Sequence, residues 1–416
     1  VFNLLKKRGI TFLSLSSTVS QLGDRLTHMV IIALIGAMFS GRITAFSEFA
    51  ITWSLPIVIL SPFAGVFIDH WNKQTIMLRC HLIQSILIFL TPIFIAITHS
   101  ITPIWILVVL FFSLDMFNNT SKNAIIPDLV EYNELVQANS LIITLARIAT
   151  FIGMVGGGYL IRWVGWQFAF YINASTHFIA GVLVLGMGAK ILFEPAKKFD
   201  FSLGTELKKS LRRFSEDLKE LGILLVKDRA VIFVMLSVFI LPFVATVSYT
   251  VLIFLIQQTF GLGTTGVGWF GGIIGIGMLV GGILMGIFGK SVNRGKTIIF
   301  GMAILALFFL AGPFFTTALF LYIISFIAGV IFSFIGIAQD TILQEDVLKG
   351  IRGRIFATKE FVINLTVVIS ALFFGMISKF AAPYSIIRGV GIFLIFITIA
   401  AFLIYRSIPG DIQTKL

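Results

Sequence analysis

Apolar runs of about 20 residues recur along nearly the whole chain, the length an α-helix needs to cross the hydrocarbon core of a bilayer. The composition points the same way. Of 416 residues, 58% are hydrophobic and 12% charged, with a mean hydropathy of +1.03. A soluble surface needs roughly twice that charged fraction. The sequence therefore describes an all-α integral membrane protein. Windows of about 19 residues place twelve transmembrane helices, at 10–39, 45–68, 75–98, 103–125, 139–161, 168–191, 230–256, 266–289, 297–315, 318–341, 358–378 and 385–405. Lys6, Lys7 and Arg8 precede the first run, which reads as a span. It is too long and too polar for a signal peptide, and no small-residue cleavage site follows it.

The net charge of +12 follows from topology and does not indicate a nucleic-acid partner. Segments assigned to the cytoplasm, counting Arg79, Lys190 and Lys359 at the adjoining span ends, hold 24 of the 31 Lys and Arg, whereas the outer loops and the adjoining start of span twelve hold only Arg42, Arg162, Lys379 and Arg388. That asymmetry predicts a multi-pass protein of the plasma (inner) membrane with both termini cytoplasmic. The single cysteine, Cys80, excludes an internal disulfide and a Cys-rich metal site.

Three segments organise the chain: 1–191 as an N-terminal six-helix bundle, 192–229 as a cytoplasmic linker, and 230–416 as a C-terminal six-helix bundle. In the linker, Leu203, Leu207, Leu211, Phe214, Leu218 and Leu221 recur every three or four residues between basic side chains. This is the pattern of a basic amphipathic helix lying on the inner membrane surface. "AIIPDLVEYNELVQANS" after span four has a counterpart in "TILQEDVLKGIRGRIFA" after span ten, and "WNKQTIM" after span two answers "NRGKTII" after span eight. A pseudo-symmetric six-plus-six repeat is a transporter architecture.

Span one carries the most unusual residues. Ser14, Ser17, Gln21, Asp24 and His28 form one polar stripe at 3-4-3-4 spacing. An Asp at the bilayer midplane costs roughly 2.5–3.5 kcal/mol on insertion scales, so the stripe must face water or other polar helices. Arg25 points about 100° away from Asp24, which predicts a separate partner for each on another span. Asp115, Asn118, Asn119 and Lys122 share a face of span four, and span five adds Ser140, Thr144 and Arg147. Asp115 could pair with Arg25 or Arg147. A structural ion pair, a proton-coupling group and a substrate contact all fit these residues. The C-terminal half has no such cluster, and its Phe-rich spans suit a greasy substrate.

Span eight, "GVGWFGGIIGIGMLVGGILMGIFG", holds small-xxx-small pairs, among them Gly268/Gly272, Gly277/Gly281 and Gly282/Gly286, which let helices approach closely. "GLGTTG" and "GVGWFG" match a dinucleotide-binding spacing, but no strand precedes either of them. The five histidines are scattered, and His81 and His177 read as interhelical hydrogen-bonders rather than metal ligands.

"GVFIDHWNKQTIM" resembles the signature after the second span of the major facilitator superfamily. Gly65, Asp69 and Lys73 match it, whereas His70, Asn72 and Gln74 depart from it. The resemblance implies that Asp69 latches an inner gate against the start of span eleven, where Arg352, Arg354 and Glu360 lie. "GMVGGG", containing Gly153, Gly157 and Gly158, resembles the antiporter signature with Met154 in place of its proline. "SPFAGVFIDHWNKQTIM", the Gly23-Asp24 pair and "LVQANSL" are similar to the macrolide-efflux and siderophore-exporter branch. Lysophospholipid transporters share the last two features. The resemblance implies a monomeric secondary transporter that uses no cofactor, draws on the proton gradient and exports an amphiphilic small molecule such as a drug or siderophore. A lysophospholipid flippase is the alternative. A membrane enzyme is not expected, because no catalytic constellation lies near a membrane face.

Overall fold

A helix of 51 residues would extend about 75 Å, far beyond a hydrocarbon core of about 30 Å. The helix Leu135–Leu185 reaches that length but breaks at Gly165, whose φ of 79° and ψ of 167° leave the helical region. Only glycine takes up such a φ without steric cost. The break yields α5 (135–164) and α6 (166–185), two crossings joined by a tight turn. The computed structural model describes residues 6–39, 42–131, 134–188, 229–288, 292–314, 317–345 and 352–408, with isolated positions between 204 and 219. Side chains at 61–70, 135–136, 140, 313, 343–345, 352–358 and 360 lie outside that description.

The remaining elements are α1 (Arg8–Met38), α2 (Ile43–His70), α3 (Lys73–Thr98), α4 (Thr102–Leu129), α7 (Arg229–Val247), α8 (Gly263–Phe288), α9 (Arg294–Ala311), α10 (Ala318–Glu345), α11 (Arg352–Ile377) and α12 (Pro383–Arg406). Beyond Val247, α7 continues through two π-helical turns, Ser248–Leu252 and Leu255–Thr259. Nine stretches among the described residues are long and apolar enough to cross a membrane, and one of them is the α5–α6 pair. Helix α11 adds the shorter apolar stretch Phe361–Ile377. Helix α1 misses a purely hydropathic criterion because Asp24, Arg25 and its serines lower its mean. Among the described residues, the twelve-helix, all-α fold read from the sequence is the one observed.

Two starts repeat in detail. Asn72 caps α3 by accepting from the Thr75 amide at 3.0 Å, and Asn293 caps α9 by accepting from the Lys296 amide at 2.8 Å. Both asparagines are extended, with ψ of 116° and 115°, as N-cap geometry requires. Turns carry strongly exposed aromatics: Trp163 (76%) beside Gly165, Phe314 (74%) after α9 and Phe380 (89%) after α11. Such side chains suit the membrane–water interface.

The chain forms two compact units, one from Val1–Met38 and Pro56–Arg212, the other from Phe39–Leu55 and Arg213–Leu416. In the first, α1 packs on α5 and α6, and α3 packs on α4 and α6. Its apolar base is built from Ile10, Leu13, Met77, Ile125, Ile142 and Val184. In the second, the main pairs are α7 with α11, α8 with α10 and α9 with α12. Residues 43–55 of α2 belong to this second unit, where the Ser54 hydroxyl donates to the Asn364 backbone oxygen at 3.2 Å.

Candidate functional site

Helix α1 presents two polar stripes, not one. Ser16, Ser20, Gly23 and Thr27 recur at 4-3-4 spacing, and this small-residue face brings α6 close. The Ser16 hydroxyl donates to the Ala180 carbonyl at 2.9 Å, and the Asn173 amide donates to Thr27 Oγ1. A β-carbon on Gly23 would lie 2.7 Å from Asn173 Oδ1 and 3.0 Å from His177 Nε2, and would collide with Thr176 Oγ1. On the opposite side, Gly153 of α5 admits Arg25: its own β-carbon would sit 2.7 Å from Arg25 Cβ. Gly157 faces Leu26 and Met29 in the same way, and Gly158 is buried. The glycines of α1 and α5 thus set the approach of three helices.

That approach positions Asp24. Its Oδ1 lies 3.6 Å from His177 Nε2, with the imidazole 1% exposed and the carboxylate side chain 14%. Asp24 Oδ1 and both ring nitrogens of His177 have no hydrogen-bond partner among the described residues. Such bare buried polar atoms call for an explanation in any native structure. The His81 ring of α3 lies 5.8 Å from the His177 ring, and Phe111 of α4 meets His177 edge-on at 5.2 Å. Gln84 donates to the Phe111 carbonyl at 3.2 Å, fixing α3 against α4 at this level.

The charged residues singled out in the sequence converge on the same region. Asp24 is within electrostatic reach of Asp115, Arg25 and Lys122. Lys122 donates to Asn119 Oδ1 at 2.7 Å, and Asn119 hydrogen-bonds Asp115. Arg25 differs from expectation: its hydrogen-bond partner is on its own helix, not on another span. With the Gln21 amide oriented to present its oxygen, the guanidinium donates at 2.8 and 3.0 Å. The i, i+4 spacing makes this contact short and local. Arg147 is half-buried on α5 and joins no ion pair among the described residues, so the Asp115–Arg147 pairing is not formed. Asn118 is 4% exposed. His28 packs edge-on against Phe112 at 5.2 Å. His81, His177, Asn173 and Thr176 were not identified as site residues from the sequence.

Of the inner-gate residues, the side chains of Gly65, Asp69, Arg352, Arg354 and Glu360 lie outside the described residues. Lys73 bonds Asp128 at the end of α4, at 2.7 Å. In the second unit, Lys359, which the sequence did not flag, pairs with Asp340 and ties α11 to α10. The glycine pairs expected to pack α8 behave differently from one another. Gly268 and Gly272 are buried, but a β-carbon on Gly286 would meet nothing within 4 Å, and one on Gly282 only the Ser333 hydroxyl at 3.5 Å. Of these pairs, Gly277 and Gly281 make the close contact with α10: their β-carbons would strike the Phe326 and Val330 carbonyls. Residues 281 and 282 point about 100° apart, and only one of the two can face a given neighbour.

Two cavities flank α11 within the second unit. One, of about 410 Å³, is lined by Phe239, Phe243, Phe373, Phe374 and Phe393. The other, of about 550 Å³, has a mixed polar and apolar lining and carries Arg42, Glu48 and Lys379.

Known proteins fit this arrangement. The profile of the Major Facilitator Superfamily matches residues 13–358. The "Uncharacterized MFS-type transporter YfiS" of Bacillus subtilis (strain 168) is 23% identical over 364 residues, covering 84% of this chain and 82% of that one. The "Putative bacilysin exporter BacE" of the same strain is 26% identical over 328 residues, 78% of each chain. Among solved structures, the nucleoside transporter NupG aligns with a TM-score of 0.68 at 15% identity, covering 94% of this chain and 98% of that one. The peptide transporter POT aligns with a TM-score of 0.75 at 10% identity, covering 96% and 95%. These structural likenesses are likenesses of fold.

Proposed function

The chain belongs to the Major Facilitator Superfamily, and from that premise we propose that it exports an amphiphilic small molecule by alternating access, driven by the proton gradient across the inner membrane. Both termini are cytoplasmic in this reading. Asp24 carries the proposal. It is a carboxylate in the interior of a membrane-spanning helix pack, held beside an imidazole that has no hydrogen-bond partner among the described residues. Ionisable groups in such positions are costly and mark ion or proton pathways by default. Asp115 is the second protonatable group. Arg25 and Lys122 supply two positive charges that balance the two acids, so uptake of one proton changes the net charge of the cluster and gives the two states different energies.

An amphiphilic substrate is supported by the two separate cavities that α11 offers, one lined by phenylalanines for an apolar body and one carrying Arg42, Glu48 and Lys379 for a polar group. An apolar body with a few placed polar contacts is the usual make-up of a small-molecule site. The similarity to a protein named as an exporter supports outward transport.

Everted membrane vesicles energised with a proton gradient test the reading. Addition of a transported amphiphile should release protons from the vesicle interior, read with a pH-sensitive dye. Asp24→Asn should reduce that signal at least about tenfold, equivalent to about 1.4 kcal/mol of lost coupling. Undiminished proton-driven transport in Asp24→Asn would overturn the coupling assignment. Movement of labelled lysolipid in vesicles without a gradient would identify a lysophospholipid flippase instead.

A further inference from the structure

We propose that the proton-carrying unit is the Asp24–His177 pair rather than the Asp24 carboxylate alone, with the imidazole accepting the proton across the α1–α6 contact. The inference rests on the proton-coupled reading above and deepens it by naming the acceptor. Neutral imidazole carries a hydrogen on one ring nitrogen and a lone pair on the other. With the hydrogen on Nδ1, the Nε2 lone pair faces Asp24 Oδ1 at 3.6 Å. A proton on Oδ1 then moves to Nε2: the O–H bond breaks, an N–H bond forms, the acid becomes carboxylate and the ring becomes imidazolium. Catalytic contacts are often long in a resting state and tighten in use, and here a few tenths of an ångström would make a hydrogen bond.

Three features single out this pair. First, a structural histidine would hold its ring by a fixed bond, yet neither nitrogen of His177 has a partner among the described residues, at 1% exposure. Second, the other acid is already engaged. Asp115 is bonded by Asn119, which also accepts from Lys122, and Arg25 is held by Gln21. Third, the approach is built in by adjacent residues: Gly23 lets the imidazole reach the α1 backbone, and Asp24 supplies the carboxylate one position later. The other ionisable groups within electrostatic reach of the pair are Arg25 on α1, His81 on α3, and Asp115 and Lys122 on α4. His81, 5.8 Å from the His177 ring, is the second imidazole through which the pair would sense α3.

Two titrating groups this close titrate as a unit, so altering one must move the other. The test needs no substrate. The purified full chain in lipid nanodiscs is titrated with pH while the protonated-carboxyl stretch is followed by infrared spectroscopy and the histidine rings by nitrogen NMR. Asp24→Asn should remove one titrating carboxyl band and move the titration of the His177 ring. His177→Gln, which keeps a polar side chain of similar reach, should move the midpoint of the Asp24 band by about one pH unit. Either shift supports the pair, so one misfolded variant leaves the other decisive. An Asp24 band that is absent in the unmodified protein, or unmoved midpoints in both variants, overturns it. If the pair titrates together yet vesicles show no proton-driven transport, the coupling reading has failed and the pair stands. If transport is proton-driven while the midpoints are independent, the pair alone has failed.

Discussion

A β-carbon on Gly23 has nowhere to go, because α6 presents Asn173, Thr176 and His177 to that point of α1. Gly23→Ala is therefore expected to push α6 outward at a cost of about 1–3 kcal/mol, the usual range for overpacking a tight contact. It would show as a lower midpoint of thermal unfolding in detergent, with Gly23→Val worse. An unchanged midpoint would mean that α6 yields freely. The same residue shows what could be read from the sequence. The stripe from Ser14 to His28 is visible because polar residues at helical spacing stand out against an apolar background. The parallel stripe from Ser16 to Thr27 is hidden, since serine, glycine and threonine are unremarkable in a membrane helix. His177 escaped because nothing in one sequence indicates that residue 177 folds back onto residue 24. An intramembrane histidine is the signal the sequence offers, and plain helix bonding accounts for it equally well until the fold brings α6 onto α1.

At the scale of elements, glycine runs read as contact surfaces but not as contact registers. Helix α8 offers glycines in several frames, and the one that meets α10 runs through Gly277 and Gly281, with Gly329 opposite them. A side chain at Gly329 would collide with the Ile274 carbonyl. Gly329→Val should therefore separate α8 from α10 and abolish the folded, monodisperse protein, whereas Gly286→Ala should leave it intact. Replacing an exposed helix glycine by alanine contributes up to about 1 kcal/mol of helix propensity, so Gly286→Ala should unfold at an equal or higher temperature. Size-exclusion profiles and thermal unfolding of the two variants check both expectations. Equal damage from both would overturn the observed register. Helix ends were more legible than faces, since Asn72 and Asn293 announce the starts of α3 and α9 by their side-chain chemistry.

For the whole molecule, the repeat seen in two short loops extends to the pattern of neighbours. Helices α1 and α5 pair as α7 and α11 do, α3 and α6 as α9 and α12, and α3 and α4 as α9 and α10. The two units share this plan but not its chemistry: one holds the cluster of Asp24, Arg25, Asp115 and Lys122 and the other the phenylalanine-lined cavity. Their orientation rests on charge. Lys and Arg crowd the segments that begin with the N-terminal Lys6, Lys7 and Arg8, and few lie in the loops on the other side. Phe380, 89% exposed in the turn between α11 and α12, should then lie outside, and the exposed Ser407 just after α12 should lie inside. Cys80 is buried at 5% exposure, and Cys80→Ser would give a background without a native thiol. On that background, Phe380→Cys should react with a membrane-impermeant maleimide in intact cells, and Ser407→Cys only in everted vesicles. The reverse labelling would invert the molecule in the membrane and, with it, the side from which Asp24 would take a proton in the mechanism proposed.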